Sequence, residues 1–235
     1  MRLDIYITKN YALQSRNKAS ELIKANKIMV DGTIIKKPSF KIEENMKIEI
    51  LEEDFYVSRS AYKLKYFLED NALDVANKTA IDIGSSTGGF TQILLNNGVD
   101  SVTCVDVGTN QLHPSIKEND KIIIVENTDI RKFTTDIFYD LVTCDVSFIS
   151  ILNILEDIHR LSADKIIILY KPQFEVGKDI KRDNNGVVLD KKAMQKEREN
   201  FLNATQKLKW KLVLANESKL AGKSGNIEEL FYFEK

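Results

Sequence analysis

The sequence contains little cysteine and histidine and no long apolar run. Its two cysteines, Cys104 and Cys144, each lie in an apolar, strand-like run without a CxxC pair or a Cys/His cluster, which favours buried thiols over a disulfide or a metal site. No apolar run approaches the roughly 18 to 20 residues of a membrane helix. The first residues, MRLDIYITKN, lack the uninterrupted apolar core of a signal peptide. We therefore expect a cytoplasmic protein that binds no metal and has no stable membrane association.

The chain also lacks a Pro-, Gly- or Ser-rich spacer between its front and its main part. With 235 residues, 43% hydrophobic and 29% charged, it can bury one substantial core and a small appendage, so disordered and fibrous classes are excluded. The segment LEEDFYVSRSAYKLKYFLEDNAL is expected to join the two parts as a short ordered connection. We place the domains at residues 1–53 and 63–235, with a linker at 54–62.

The whole chain is nearly neutral, but its front part has a surplus of positive charge. The net charge is −1, yet residues 1–50 hold ten Lys/Arg against six Asp/Glu, and the remaining residues hold 24 against 29. A short basic module next to a mildly acidic one suggests a polyanionic partner. A solvated lysine-rich surface explains the charge alone equally well.

The front part has the pattern of a small α+β module. Ser15 is placed to cap a helix whose apolar face contains Leu22 and Ile23. Asp31-Gly32 between two β-rich runs predicts a hairpin turn, and KIEENMKIEI predicts a further short strand. Two helical pieces and a small sheet are therefore expected within the first 50 residues.

The motifs RLD, SRNKASELI, IMVDG and KKPS, in this order, resemble the RNA-binding domain named after a small-subunit ribosomal protein. Such modules bind RNA through its backbone and shape, with basic side chains on phosphates. The alternative for each side chain is simple solvation. Our candidates for RNA contacts are Arg2, Arg16, Lys18, Lys36 and Lys37.

A glycine-rich turn follows the first strand of the main part. AIDIG alternates like a strand entering a core, and FTQILLNNG has helical spacing, so the glycines lie at a strand-to-helix junction. Such a junction suits a nucleotide-like ligand, because a helix N-terminus offers free N–H groups and glycines allow close approach. The spacing is not the GxGxxG of dinucleotide-binding proteins, which weighs against a nicotinamide oxidoreductase.

Five apolar runs separated by helix-length segments predict a doubly wound, Rossmann-like α/β sheet. Asp106 ends the second run, 24 residues after Asp82, about where a carboxylate binds ribose hydroxyls. The expected strands are 79–84, 101–107, 121–126, 140–146 and 165–170. The candidate cofactor residues are Asp82, Gly84, Ser85, Ser86, Thr87, Gly88, Gly89, Phe90, Asp106 and Asp129.

The fourth and fifth runs end in groups that can perform chemistry. YDLVTCDVSFIS places Asp145, and KIIILYKPQFEVG places Lys171, at the carboxyl ends of neighbouring strands. A lysine after an apolar run is partly desolvated. Burial lowers the pKa of a lysine, and a nearby carboxylate raises it. Lys171 is thus a candidate to take or share a proton at neutral pH. A structural ion pair is the alternative.

These and further motifs resemble the TlyA family of ribosomal RNA 2'-O-methyltransferases, also labelled haemolysins, over almost the whole chain. They are AIDIGSSTGGFT, VDVGTNQL, DLVTCDVSFIS, YKPQFEVG, NNGVV and SGNIEEL, and SRSAYKL is similar to a pattern of the related FtsJ methyltransferases. The resemblance implies S-adenosylmethionine as cofactor, a ribosomal subunit or its RNA as partner, and a cytidine ribose as target. It also implies a Lys-Asp-Lys-Glu tetrad at Lys63, Asp145, Lys171 and Glu228, although Glu229 is adjacent.

The resemblance further implies large-subunit RNA as substrate, because shorter members of the family modify that RNA only and longer ones modify both subunits. At Asp129 the family more often has asparagine. Two other classes stay open: a noncatalytic RNA-binding ribosome assembly factor, which leaves the tetrad unexplained, and a membrane-active haemolysin, for which the sequence provides no insertion helix.

Overall fold

The computed structural model describes residues 1–10, 15–43, 45–51 and 56–235. The chain divides into two compact units, Met1–Val57 and Ser58–Lys235.

The first unit contains two helices and a small antiparallel sheet, as predicted. The helices are α1 (Leu3–Asn10) and α2 (Arg16–Lys24), and the strands are β1 (Ile28–Val30), β2 (Thr33–Ile34) and β3 (Ile48–Ile50), in the order β2-β1-β3. Ser15 begins α2 by accepting a hydrogen bond from the Lys18 amide at 3.2 Å. Asp31 and Gly32 both have positive φ, as a two-residue hairpin turn requires.

The second unit contains a seven-stranded sheet in the order β6-β5-β4-β7-β8-β10-β9. The first five of these strands are parallel, and β10 runs antiparallel to both β8 and β9. The strands are β4 (Thr79–Ile83), β5 (Ser101–Val105), β6 (Ile122–Val125), β7 (Tyr139–Cys144), β8 (Ser162–Tyr170), β9 (Lys211–Glu217) and β10 (Glu229–Glu234). The doubly wound α/β fold predicted from the sequence is confirmed.

Helices cover the sheet and connect its strands. They are α3 (Arg59–Asp70), α4 (Gly89–Asn96), α5 (Pro114–Lys117), α6 (Leu155–Leu161), α7 (Pro172–Glu175) and α8 (Lys191–Lys207), with 3₁₀ turns at Ile130–Lys132 and Ile151–Ile154. Part of the core is aromatic. The ring centroid of Phe201, on α8, lies 5.1 Å from that of Tyr170 and 5.2 Å from that of Phe231, both on the sheet.

The strand order determines where a ligand can bind. The chain goes from β4 outward through β5 to β6, then returns to place β7 and β8 on the other side of β4. In such sheets the connections after the two central strands leave in opposite directions and open a crevice at the carboxyl ends. Here that crevice lies after Ile83 and Cys144, next to Gly84 and Asp145.

Strand β8 begins earlier than expected, at Ser162, because Ser162 pairs with Tyr139 across a register shift in β7. Strand β9 was not among the predicted strands. It is an edge strand whose residues are mostly exposed, so its sequence lacks the pattern of a strand with one buried face.

Candidate active site

An ion pair joins the carboxyl ends of β7 and β8. Asp145 follows β7 and Lys171 follows β8, and because these strands are parallel neighbours both side chains emerge at the same edge. The Nζ of Lys171 lies 2.5 Å from Oδ1 of Asp145 and donates to Oγ of Ser147 at 2.9 Å. Lys171 is 8% exposed, so the pair is largely shielded from solvent.

A second ion pair lies beside the first. Glu228 immediately precedes β10, whose Glu229 is paired with Tyr170, and this register brings Glu228 to the edge that carries Lys171. The Nζ of Lys63, on α3, donates to Oε2 of Glu228 at 2.5 Å. Both side chains are buried.

The neighbouring Glu229 is used elsewhere. Its carboxylate accepts two hydrogen bonds from Nε of Arg198, on α8, at 3.0 and 2.8 Å. Of the two adjacent glutamates, therefore, Glu228 is the one that pairs with Lys63.

The four charged groups act on each other. Burial raises the pKa of Asp145, while Lys171 and, more weakly, Lys63 act to lower it, and Glu228 acts in the same direction as burial. Two positive and two negative charges thus lie at one edge of the sheet with no net charge. The structure brings together all four residues of the predicted tetrad.

The glycine-rich turn between β4 and α4 is tightly packed. Gly84 and Gly88 have φ of +79° and +89°, in the left-handed region that favours glycine. A Cβ on Gly88 would lie 2.2 Å from Cδ1 of Ile116, and one on Gly89 would lie 2.0 Å from Oγ of Ser58. Larger residues at these two positions would displace α5 or the start of α3.

Two adjoining cavities open at this turn. The larger, of about 460 Å³, is lined by the loops after β4, β5 and β7 and by the turn that contains Asp129. The smaller, of about 160 Å³, is lined by Ser58, Ser60, Lys171 and the glycine-rich turn. Residues shared by both are Gly84, Ser86, Asp145 and Ser147. The Lys171–Asp145 pair therefore borders the junction of the two cavities.

Most of the predicted cofactor residues line one cavity or both. They are Gly84, Ser86, Asp106 and Asp129 in the larger, and Asp82, Gly84, Ser85, Ser86, Thr87 and Phe90 in the smaller. Neither lining includes Gly88 or Gly89. Ser85 is notable because its hydroxyl is buried and, among the residues that the structure describes, has no hydrogen-bond partner.

Three acidic side chains of this set already have protein partners. Burial raises the pKa of Asp82 to about 6, and its carboxylate accepts from Thr91 and Thr143. Asp106 accepts from the amides of Ser86 and Gly108 at 2.8 and 2.7 Å and so ties the glycine-rich turn to the loop after β5.

Asp129 pairs with Arg131, whose guanidinium lowers the pKa of Asp129 to about 2.

Further cavity residues were missed by the sequence analysis. Arg131 and Gln111 belong to the larger lining, as does Phe148 in DVSFIS, and Ser58 and Ser60 to the smaller. The quoted motifs DVSFIS and SRSAYKL were the available signal for the last three.

The predicted RNA-binding residues of the first unit have different environments. Asp4 is buried and its carboxylate binds Arg2 at 2.9 Å and Arg16 at 2.8 Å. The Arg2 and Arg16 side chains remain 44% and 54% exposed, so each can still contact a ligand. Lys36 and Lys37 are exposed, and Lys18 is half-buried.

Comparison with known proteins agrees with this architecture. The model of the FtsJ-like methyltransferase family matches residues 56–235, and that of the S4 domain matches residues 1–48. The 23S rRNA (cytidine-2'-O)-methyltransferase TlyA of Campylobacter jejuni is 45% identical over the whole of both chains. The 16S/23S rRNA (cytidine-2'-O)-methyltransferase TlyA of Mycobacterium tuberculosis is 35% identical, over 97% of this chain and 87% of that one.

Other relatives have a different name. Hemolysin A of Brachyspira hyodysenteriae is 32% identical over 99% of both chains. A solved structure from Streptococcus thermophilus superposes with a TM-score of 0.73 at 32% identity, covering all of this chain and 88% of that one. Within the described residues, we find no helix with the length and apolarity needed to cross a membrane. The chain belongs to the TlyA family, with an S4 domain at its front and an FtsJ-like methyltransferase domain behind it.

Proposed function

We propose that this chain transfers the methyl group of S-adenosylmethionine to the ribose 2'-oxygen of a cytidine in large-subunit ribosomal RNA. The observation that carries the proposal is the pair of buried ion pairs, Lys171–Asp145 and Lys63–Glu228, beside the two cavities. The cytidine and the large subunit follow from the Campylobacter jejuni relative, whose name specifies 23S rRNA and which matches over its full length. The relative named for both subunits is less similar.

The cavities suit the cofactor in size and chemistry. The larger combines apolar walls, including Val107 and Ile130, with the carboxylates of Asp106 and Asp129, which can accept from hydroxyl and amino groups of an adenosine. The smaller offers hydroxyl groups, among them the buried, unpartnered Ser85, which suits the polar amino-acid end. We propose that Asp82 shapes the turn and does not itself bind the cofactor, because its carboxylate already accepts hydrogen bonds from Thr91 and Thr143.

The bound cofactor supplies a methyl group that is already activated on a sulfonium. The protein has to align the ribose hydroxyl and ease the loss of its weakly acidic proton. The ammonium of Lys171 has three N–H donors; it donates to Oγ of Ser147 and forms an ion pair with Oδ1 of Asp145. A donor that Ser147 does not use can point at the 2'-oxygen, where the ammonium stabilises the negative charge that develops as the hydroxyl loses its proton to solvent.

The second pair supports this arrangement. Lys63 is buried against Glu228 and lies close enough to Asp145 to influence its pKa. We propose that Lys63 holds the ribose beside Lys171 and that Glu228 keeps Lys63 in place. Asp145 orients Lys171 and balances its charge.

Phe148 offers a contact for the target base. Its side chain is 91% exposed, its backbone has φ of +67°, and its ring packs on Phe174 at 5.1 Å between centroids, at the edge of the larger cavity. Exposed aromatic rings stack on unpaired bases of RNA. We propose that Phe148 stacks on the target nucleotide, and that the S4 domain supplies backbone contacts through its basic residues.

The test is methyl transfer from tritiated S-adenosylmethionine to intact ribosomes, separate subunits and bare ribosomal RNA. We expect label in large-subunit RNA that survives alkali as a resistant dinucleotide, and no label with Lys171→Ala. Lys165→Ala is the matched control, because Lys165 lies on the same strand at the opposite end from the cavity. Label in Lys171→Ala equal to wild type would overturn the mechanism. Absence of label on every ribosomal substrate, despite cofactor binding, would favour a noncatalytic RNA-binding role.

A further inference from the structure

Gln173 is not one of the four tetrad residues, but it forms a hydrogen bond with Glu228. It lies in the single turn of α7, two residues after Lys171, and its Nε2 donates to Oε1 of Glu228 at 2.8 Å. The other oxygen of Glu228 accepts from Lys63. Both oxygens of this buried carboxylate are therefore fixed, each by a different element of the fold.

The orientation of the amide follows from chemistry. An ionised carboxylate only accepts hydrogen bonds, so the amide nitrogen of Gln173 must face Glu228 and the amide oxygen must point away. That oxygen is buried and has no hydrogen-bond partner among the described residues.

A neutral donor is what this position requires. The tetrad contains two positive and two negative side chains. A lysine or arginine at 173 would add a third cation, and a glutamate would place a second carboxylate against Glu228. An amide restrains Glu228 without changing the charge of the site.

The surroundings of Glu228 also depend on a glycine. A Cβ on Gly222 would lie 2.5 Å from Oε1 of Glu228, so the glycine at this position leaves room for the carboxylate. The backbone of α7 is held independently, because Arg182 donates to the carbonyl oxygens of Gln173 and Gly177 at 2.9 and 2.8 Å. Changes to the Gln173 side chain should therefore leave the turn in place.

We propose that Gln173 is a positioning residue of the methyl-transfer site. Its amide nitrogen fixes Glu228 against Lys63, so that the buried carboxylate holds Lys63 in one orientation beside the Lys171–Asp145 pair. The inference rests on the proposed function and adds to it a residue outside the tetrad.

Two variants test this. Gln173→Met keeps the length of the side chain and removes the hydrogen bond to Glu228, so we expect kcat to fall by about tenfold or more at every pH, with the Kd for S-adenosylmethionine unchanged. Gln173→Glu places two carboxyl groups side by side, where like charge favours keeping one proton. Because Glu228 is already paired with Lys63, we expect the proton on residue 173, which then donates as the amide did.

The ratio of Gln173→Glu activity to wild-type activity should therefore rise as the pH is lowered from about 8.5 to about 5.5, whereas a merely structural role gives no such recovery. A wild-type kcat and KM in Gln173→Met, or a flat ratio for Gln173→Glu, would overturn the proposal.

A second readout does not depend on activity. In Gln173→Glu the introduced carboxyl has a raised pKa in the folded state, so the stability of the variant relative to wild type should fall as pH rises above about 4. Adding Glu228→Gln should abolish that pH dependence, and Gln195→Glu, next to the exposed Glu199 at 2.7 Å, should show little. If wild type methylates no ribosomal RNA, the proposed function fails, and the stability data still support or refute the contact with Glu228.

Discussion

Replacing Lys171 by methionine tests both the chemistry and the electrostatics of the site. The change removes an ammonium that lies 2.5 Å from Asp145 and 2.9 Å from Ser147 and keeps an unbranched side chain. A donor that stabilises developing negative charge contributes about 10² to 10³ in rate, roughly 3 to 4 kcal/mol. We expect kcat to fall by about 10³, with little change in cofactor affinity because the lysine only borders the cavities.

The same change leaves a charge without its partner. Breaking a buried ion pair costs about 3 to 5 kcal/mol, and because the Asp145 side chain is 14% exposed we expect the lower end, about 3 kcal/mol. Burial already raises the pKa of Asp145, and Lys171 opposes that rise, so the variant should raise it further. When the folded-state pKa of a carboxyl group is raised, the folded protein loses stability as the pH increases above the unfolded-state pKa of about 4. The stability gap between wild type and variant should therefore be wider at pH 8 than at pH 5.

The measurements are methyl transfer to large-subunit RNA and denaturant unfolding at several pH values, made on Lys171→Met, Asp145→Asn and the double variant. The double variant has no unpartnered charge, so its loss of stability should be smaller than the sum of the two single losses. Lys165→Met, at the far end of β8, is the control. If Lys171→Met keeps more than about a tenth of wild-type kcat, the ammonium does not stabilise the transition state. A stability gap that is the same at every pH would refute the electrostatic argument.

Three further variants test other parts of the site and the RNA-binding surface. Gly89→Ala should weaken S-adenosylmethionine binding by about tenfold or more, seen by calorimetry, because its Cβ would lie 2.0 Å from Oγ of Ser58; unchanged affinity would mean that α3 adjusts freely. Phe148→Ala should lower kcat/KM for RNA by about 10- to 100-fold, as loss of one stacked base predicts, and Phe148→Trp should retain activity; equal loss in both would exclude stacking. Replacing Lys36 and Lys37 by alanine should reduce the slope of log K for RNA against log salt by about 2 without affecting cofactor binding, and an unchanged slope would remove both from the RNA contact.

The parts of the molecule that the sequence predicted well depend on local patterns. The apolar runs from β4 to β8 and the glycines between β4 and α4 are readable from spacing alone. The meeting of Asp145 and Lys171 needed one additional rule, that the carboxyl ends of parallel strands share an edge. That rule holds here because β7 and β8 are direct neighbours.

Other features depend on contacts between distant segments, which periodicity does not contain. Gly89 reads as a residue that lets a ligand approach, yet the space beside it is filled by Ser58 and Ser60, from a segment about 30 residues earlier. Arg2 and Arg16 read as free cations, yet both bind the buried Asp4. In both cases the residue type suggests contact with a ligand, whereas the structure shows a contact with a residue elsewhere in the chain.

The choice between Glu228 and Glu229 shows how tertiary structure resolves two identical adjacent residues. Successive side chains of a strand point to opposite faces, and Glu229 is the first residue of β10, facing Arg198 on α8. Glu228 precedes the strand, so it lies at the edge, and the antiparallel register with β8 sets it beside Lys171. A shift of β10 by one residue would put either Glu229 or Ile227 in the place of Glu228. In the first case Arg198 would face Leu230, and in the second Lys63 would face the apolar Ile227. The register of this last strand, and the aromatic packing of Phe231 and Phe233 that fixes it, are therefore as necessary to the tetrad as the charged residues themselves.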